Sequence, residues 1–333
     1  MPPFSALYIE EQCRDLPRVR DIIRKCSGIP CISCGNYSEV FNPVAQNFRL
    51  QKSRPGLIVA RKRQGFVLPA PPAYGFGNGH SYYFSHMLNC PYDCRYCFLQ
   101  GMYRSAHYVL FVNYEDFEAE LAGIISDLRG ERCYFYSGYD CDSLAFESWS
   151  RFASHFLRFF EVYPQATLEL RTKSTQVRTL LRWEALRNCI VAMSFTPENV
   201  AGALEHRTPS IDKRINTLNQ LQRKGWPVAL RFEPLIYHED YRRHYQKLFR
   251  LIFNALNPDT LHSVSLGMFR MPETYFKNIV KRYPDEPLFA DSYVQKDGVM
   301  SYSMEIEAEM IEVCETLLFE YIPKEIYYRC KKD

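Results

Sequence analysis

Strand-length apolar and aromatic runs recur between residues 81 and 266, with helical stretches between several of them. The runs fall at residues 81–87, 108–112, 133–136, 167–170, 190–195, 228–232 and 261–266. Residues 115–128 set Phe117, Leu121, Ile124 and Leu128 on one helical face. Residues 211–224 follow Pro209-Ser210 and stop at Gly225, an N-cap and C′ pair. Residues 241–256 align Tyr241, Tyr245, Leu248, Ile252 and Phe253 in one stripe. Strands alternating with helices predict βα units and a parallel sheet, hence an α/β fold. Six or seven such units suit a partial or full barrel better than a small Rossmann domain. In barrels of this kind the chemistry sits at the C-terminal ends of the strands. No repeat of 20–50 residues is visible.

The sharpest motif lies just after the first of these runs: Cys90-Pro91-Tyr92-Asp93-Cys94-Arg95-Tyr96-Cys97-Phe98. Three thiolates at this C-x3-C-x2-C spacing suit a [4Fe–4S] cluster with one iron left open. An open iron can take the amino and carboxylate groups of S-adenosylmethionine, and one-electron cleavage then yields a 5′-deoxyadenosyl radical. A zinc site is the competing reading, with His86 or His107 as fourth ligand. Three packed core cysteines are a third, disfavoured by the polar, Pro- and Asp-containing loop.

Composition narrows the setting. Hydrophobic residues at 47% and charged residues at 24% exclude long disorder. A net charge of +3 permits a nucleic-acid partner without demanding one. No apolar run approaches the roughly 18 residues of a membrane span. The opening residues carry neither a basic n-region nor an apolar h-region. A cytoplasmic protein is therefore expected, and its 12 cysteines are not read as a disulfide framework.

The cysteine motif resembles that of the radical S-adenosylmethionine superfamily. Further blocks resemble the spore photoproduct lyase family: residues 89–101 (NCPYDCRYCFLQG), 139–145 (YDCDSLA), 171–174 (RTKS), 193–198 (MSFTPE), 205–210 (EHRTPS, before the helix of Arg214), 231–236 (RFEPLI) and 266–270 (LGMFR). The resemblance spans residues 35 to 275 and weakens at both ends. It implies a partial (βα)6-type, TIM-like radical barrel. The organisation expected is an N-terminal extension over residues 1–75, the barrel over 76–270 and a helical extension over 271–333. The Pro/Gly-rich stretch at residues 67–80 marks the first boundary.

The resemblance also implies a [4Fe–4S] cluster on Cys90, Cys94 and Cys97, S-adenosylmethionine as co-substrate, and a reductant protein for the cluster. The activity it implies is radical reversal of a methylene-bridged thymine dimer in DNA. In that family a cysteine returns a hydrogen to the product radical, and two tyrosines help regenerate the starting state. The chain departs there. Aligned on Asp142, the donor cysteine falls at Tyr139, and the serine before the aspartate becomes Cys141. Tyr96 matches the first tyrosine of the pair, and the second becomes Phe98. Cys141, Tyr139 and Tyr96 are thus the candidates for hydrogen return. Their altered pattern keeps a second reading open, the same radical machinery acting on a modified nucleoside or a peptide.

Cys141 also stands on its own chemistry. A thiol S–H is a weak bond and a good hydrogen-atom donor, and Asp140 and Asp142 should raise its pKa rather than lower it. Lys173 matches a ligand for the methionine carboxylate, with a solvated surface lysine as the bland alternative. Ser194 matches a cofactor contact or is a buried serine bonded to backbone. Gly138 either lets the cofactor approach the backbone or turns the chain. Asp142 and Cys141 belong to the same cofactor-binding set by resemblance, and the bland alternative for Cys141 is a thiol packed beside the cofactor that contributes shape only. Cys26, Cys31 and Cys34 are read as structural, with an auxiliary metal site as the alternative. The basic stretch at residues 52–63 (Lys52, Arg54, Arg61, Lys62, Arg63) is a candidate phosphate contact or a solvated face.

Overall fold

The computed structural model describes residues 3–71 and 79–330. Part of the Pro/Gly-rich stretch, residues 72–78, lies outside them. Six parallel strands form the main sheet: β1 (His80–Phe84), β2 (Cys133–Ser137), β3 (Ala166–Thr172), β4 (Cys189–Ser194), β5 (Val228–Leu235) and β6 (Leu261–Met268). They lie side by side in chain order. Leu68–Pro69 adds antiparallel to β1, and Tyr327–Arg329 adds parallel to β6. The outer strands do not pair with each other, so the sheet is a partial barrel.

Strict alternation sorts the two faces of this sheet. Leu168, Leu170, Val191, Met193, Leu230, Phe232, Val264 and Leu266 face the large apolar core under the helices. The residues between them face inward. Ile190, Ala192 and Ala229 form a small apolar floor there. Beyond the floor the inner face is charged. Glu169 and Arg171 are two apart on β3 and therefore point the same way. Arg231 Nη2 donates to Glu169 Oε2 at 2.8 Å and to Ser263 Oγ at 3.0 Å, and Arg171 Nη2 lies 2.9 Å from Glu169 Oε1.

Between strands run helices Tyr114–Asp127, Phe152–Val162, Ile211–Arg223 and Tyr241–Ala255. The expected stop signals operate: the Ser210 side chain accepts from Lys213 N, and Gly225 takes φ +92°. In the first helix the buried face is Tyr114, Phe117, Leu121 and Ile125 rather than the expected set with Ile124 and Leu128.

A second sheet forms on residues 7–111. Its order is Cys31–Cys34, Leu7–Glu10, Leu57–Ala60, Tyr108–Phe111, Met87–Leu88. Tyr108–Phe111, expected among the barrel strands, belongs here. It is buried along its whole length, so its apolar run fits either sheet equally well. Downstream of β6, a three-stranded antiparallel sheet (Arg270–Pro272, Val294–Lys296, Val299–Ser301) and helix Glu273–Arg282 pack beside the cysteine loop. Here Gly101 is obligatory, because a Cβ would stand 2.2 Å from Tyr275 O. No helix among the described residues is long and apolar enough to cross a membrane.

Burial pushes the Glu169 carboxyl up, but Arg231 and Arg171 outweigh it and hold the pKa at about 2 against an ordinary 4.5. A carboxylate depressed in the fold adds stability that is complete above about pH 4.5 and drains away as pH falls toward 2. Glu169→Gln leaves Arg231 buried without its counter-charge and should cost about 3–5 kcal/mol. Urea unfolding at pH 7 checks this; an unchanged midpoint would show that the pair does not hold the inner face.

Candidate active site

The C-terminal ends of β1 to β6 surround one cavity of about 770 Å³. From the loop after β1 come Cys90, Cys94, Tyr96, Cys97 and Phe98. Four fixings hold that loop. Asp93–Cys94 pairs antiparallel with Glu205–His206. Arg95 N donates to Leu204 O at 2.8 Å. Asn89, at φ +73°, donates its side-chain amide to Ser105 O and His107 O. Lys52 Nζ, from below, donates to Cys90 O at 3.1 Å and Tyr92 O at 3.2 Å.

Gly138, Tyr139, Cys141 and Asp142 enter the cavity from the turn after β2. Gly138 has φ +88°, and a Cβ there would meet Ser143 Oγ at 2.6 Å and Arg171 O at 3.0 Å. The chain's own turn therefore demands this glycine. Asp142 is a knot of hydrogen bonds. Its Oδ1 accepts from Leu144 N at 3.0 Å, Ala145 N at 2.8 Å and Thr172 Oγ1 at 2.6 Å, and its Oδ2 accepts from Lys173 N at 2.7 Å. It fastens the turn after β2 to the end of β3. Burial pushes its carboxyl up, and those four donors oppose the shift.

Lys173 and Ser194 line the same cavity from the ends of β3 and β4. Lys173 Nζ lies 3.9 Å from Glu205 Oε1 and 5.6 Å from the Tyr96 ring centre. It is not a solvated surface lysine, since only 14% of its side chain is exposed. The Ser194 carbonyl accepts from Arg214 Nη1 at 3.2 Å. Glu205, from the EHRTPS block, is central to the site. It accepts from Tyr96 Oη and Arg214 Nη2, and from Thr196 Oγ1 at 3.1 Å. Burial pushes its carboxyl up, but Lys173 and Arg214 hold it below the usual range.

Cys141 is buried in an apolar cluster that also holds Met87, Tyr108, Val112 and Phe146. Burial first, then Asp140 and Asp142, push its thiol well up, so it is a protonated S–H. Tyr139 packs on Tyr83 at 4.4 Å between ring centres and on Phe98 at 5.7 Å. Arg171, Glu233, Arg270 and Cys330 complete the wall, and sequence reasoning assigned them no part.

Burial pushes the thiols of Cys90, Cys94 and Cys97 up, so metal binding there must displace protons. Among the described residues no three His, Cys, Asp or Glu side chains are gathered closely enough for a single ion. A cluster takes its thiolates wider apart than a single ion does, and three thiols on one cavity wall fit that donor set. The histidines invoked for zinc lie elsewhere. His86 stacks on Phe152 at 4.0 Å, and His107 Nδ1 accepts from Gly56 N at 2.8 Å. Cys26 and Cys34 are buried, and Cys31 is exposed.

A family model for spore photoproduct lyase matches residues 80–320. The chain belongs to the spore photoproduct lyase family. It is 22% identical over 333 residues to the spore photoproduct lyase of Bacillus subtilis (strain 168), covering 95% of each protein. To the one of Clostridium acetobutylicum it is 22% identical over 302 residues, covering 88% of this chain and 86% of that relative. A doubly substituted spore photoproduct lyase with bound AdoMet and dinucleoside spore photoproduct superposes with a TM-score of 0.86 at 20% identity, over 99% of this chain and 100% of that one. A complex with dinucleoside spore photoproduct gives 0.85 at 19% identity, over 98% of each. These likenesses show the same partial-barrel fold.

Asp142→Ala removes the acceptor of three backbone N–H groups and a hydroxyl. It should cost about 2–3 kcal/mol. Thermal melting and faster amide exchange at Ala145 and Lys173 check it; unchanged exchange would show that other bonds hold the turn.

Proposed function

We propose that this chain is a radical S-adenosylmethionine lyase with a [4Fe–4S] cluster, reversing the methylene-bridged thymine photoproduct of DNA. One observation carries the reading. In a member of this family, Cys90, Cys94 and Cys97 line a single cavity with Gly138, Cys141, Asp142, Lys173 and Ser194. When bound, the cluster and S-adenosylmethionine supply a 5′-deoxyadenosyl radical through one-electron cleavage of the sulfonium.

The chain's residues do the rest. Cys90, Cys94 and Cys97 would hold the cluster through their thiolates, leaving it open to the cofactor. Lys173, a cation at the wall, binds the methionine carboxylate. Asp142 keeps Lys173 and the turn of Cys141 in register. Arg171, paired with Glu169 and Glu233, and Arg270 line the wall on the substrate side of the same cavity. Cys141 gives its thiol hydrogen atom to the product radical, the thiyl left behind takes a hydrogen atom from a phenol, and the resulting phenoxyl radical is restored by one electron from the reductant protein and a proton. Tyr96 and Tyr139 line the same cavity and are the phenols for that step. A one-electron reductant protein and a reducing, cytoplasmic setting belong to the same reading.

A second reading keeps the radical machinery and changes the substrate to a modified nucleoside or a peptide. Phe98, lying between Tyr139 and Tyr275 with no phenolic hydrogen, is the observation in its favour. No observation favours the zinc protein.

The test is an anaerobic assay of reconstituted protein with S-adenosylmethionine, a reductant and the photoproduct dinucleotide. 5′-Deoxyadenosine and repaired thymine are read together by mass spectrometry. Both should appear above control; 5′-deoxyadenosine without repair would support the second reading. Cys90→Ala, Cys94→Ala and Cys97→Ala should each abolish cofactor cleavage, and full cleavage by any one of them would refute the cluster assignment. Cys141→Ala should keep 5′-deoxyadenosine formation and change the products. Unchanged products would remove Cys141 from the hydrogen return.

A further inference from the structure

Several cations of the basic stretch at residues 52–63 are paired or stacked at the surface, with Arg54 and Arg63 exposed. Arg61 Nη2 pairs with Asp116 at 2.9 Å, Lys62 lies over the Phe111 ring at 5.3 Å, and Arg63 Nη1 stands 3.6 Å from Glu10. Lys52 goes deepest. It sits on the short helix Phe48–Ser53 with 3% of its surface exposed. Neighbours fix that helix: Arg207 Nη1 donates to Lys52 O at 2.9 Å, and Ala106 N donates to Gln51 Oε1 at 2.9 Å.

A lysine is almost never buried this fully without a counter-charge. Among the described residues no carboxylate forms an ion pair with Lys52. The carboxylate that acts on it most strongly, Asp93, is already taken by Arg95 Nη1 at 2.6 Å. The Lys52 hydrogen bonds go instead to Cys90 O and Tyr92 O, the backbone of the loop that presents the three thiols. The partner that would balance this cation is an anionic group seated on Cys90, Cys94 and Cys97.

We propose that Lys52 is a positioning residue for the cluster. It ties down the ligand loop through two carbonyls, and its buried charge stabilises the added electron when the cluster is reduced. The inference rests on the cluster reading above. A positive charge in a poorly screened site favours the more negative redox state. Removing it should make one-electron reduction harder by about tenfold, which is about 59 mV for a one-electron couple.

Holoprotein potentials, titrated by electron paramagnetic resonance with mediators and dithionite, test this directly. Lys52→Gln keeps hydrogen-bond donors and loses the charge, so its midpoint should fall by about the tenfold shift at wild-type iron content. Lys52→Arg should hold the wild-type potential. Equal midpoints for wild type and Lys52→Gln would overturn the electrostatic role. Should Lys52→Gln fail to load iron, Lys52→Arg decides. Full loading there supports the charge, and loss of iron from both variants overturns it, because the shape of lysine alone would then hold the loop. A wild-type chain that takes up no cluster would refute the functional reading and this inference with it; equal midpoints refute this inference alone.

Discussion

Glu205 and Arg214 have no side-chain exposure, and each is tolerable there only because of the other. Desolvating two charges costs several kcal/mol apiece, and removing one partner strands the other. Glu205 spends its remaining capacity on the site. Tyr96 reaches it from the cysteine loop, Thr196 from the end of β4 and Lys173 from the end of β3. The two-residue strand that carries Glu205 also pairs with Asp93–Cys94. One buried carboxylate thus ties the ligand loop to three barrel elements. The Tyr96 phenol, whose pKa burial and Glu205 both raise, is kept protonated by the same contact.

The inner face of the sheet repeats this logic one layer down. Glu169, Arg171 and Arg231 fill a space that aliphatic side chains fill in a closed barrel. Arg171 belongs to both layers, since it pairs with Glu169 and Glu233 and also lines the cavity. Charge at the cavity wall is therefore anchored in the floor beneath it. Above this frame, Phe98, Tyr139 and Cys141 line the cavity together.

Much of this was legible along the chain. Apolar runs marked all six barrel strands, and the cysteine spacing marked the ligand loop. Gly138, Cys141, Asp142, Lys173 and Ser194 do meet in one cavity. What escaped was whatever depends on register. Glu169 and Arg231 are 62 positions apart, and nothing in either neighbourhood announces the other. Tyr327–Arg329 is too short to show an alternation. Lys52 read as surface charge because burial of a long cation is decided by the loop it meets, not by its own neighbours. Glu205 stood in a recognisable motif, but its role appears only when Tyr96 and Arg214 converge on it.

Among the described residues the sheet ends at Leu68–Pro69 on one side and Tyr327–Arg329 on the other, and the two ends do not pair. A vessel missing part of its wall need not swallow what it works on. It can take in one unit of a long polymer while the flanking units stay outside, touching only the rim. Recognition is then concentrated on the piece admitted, and the neighbouring sequence is read weakly.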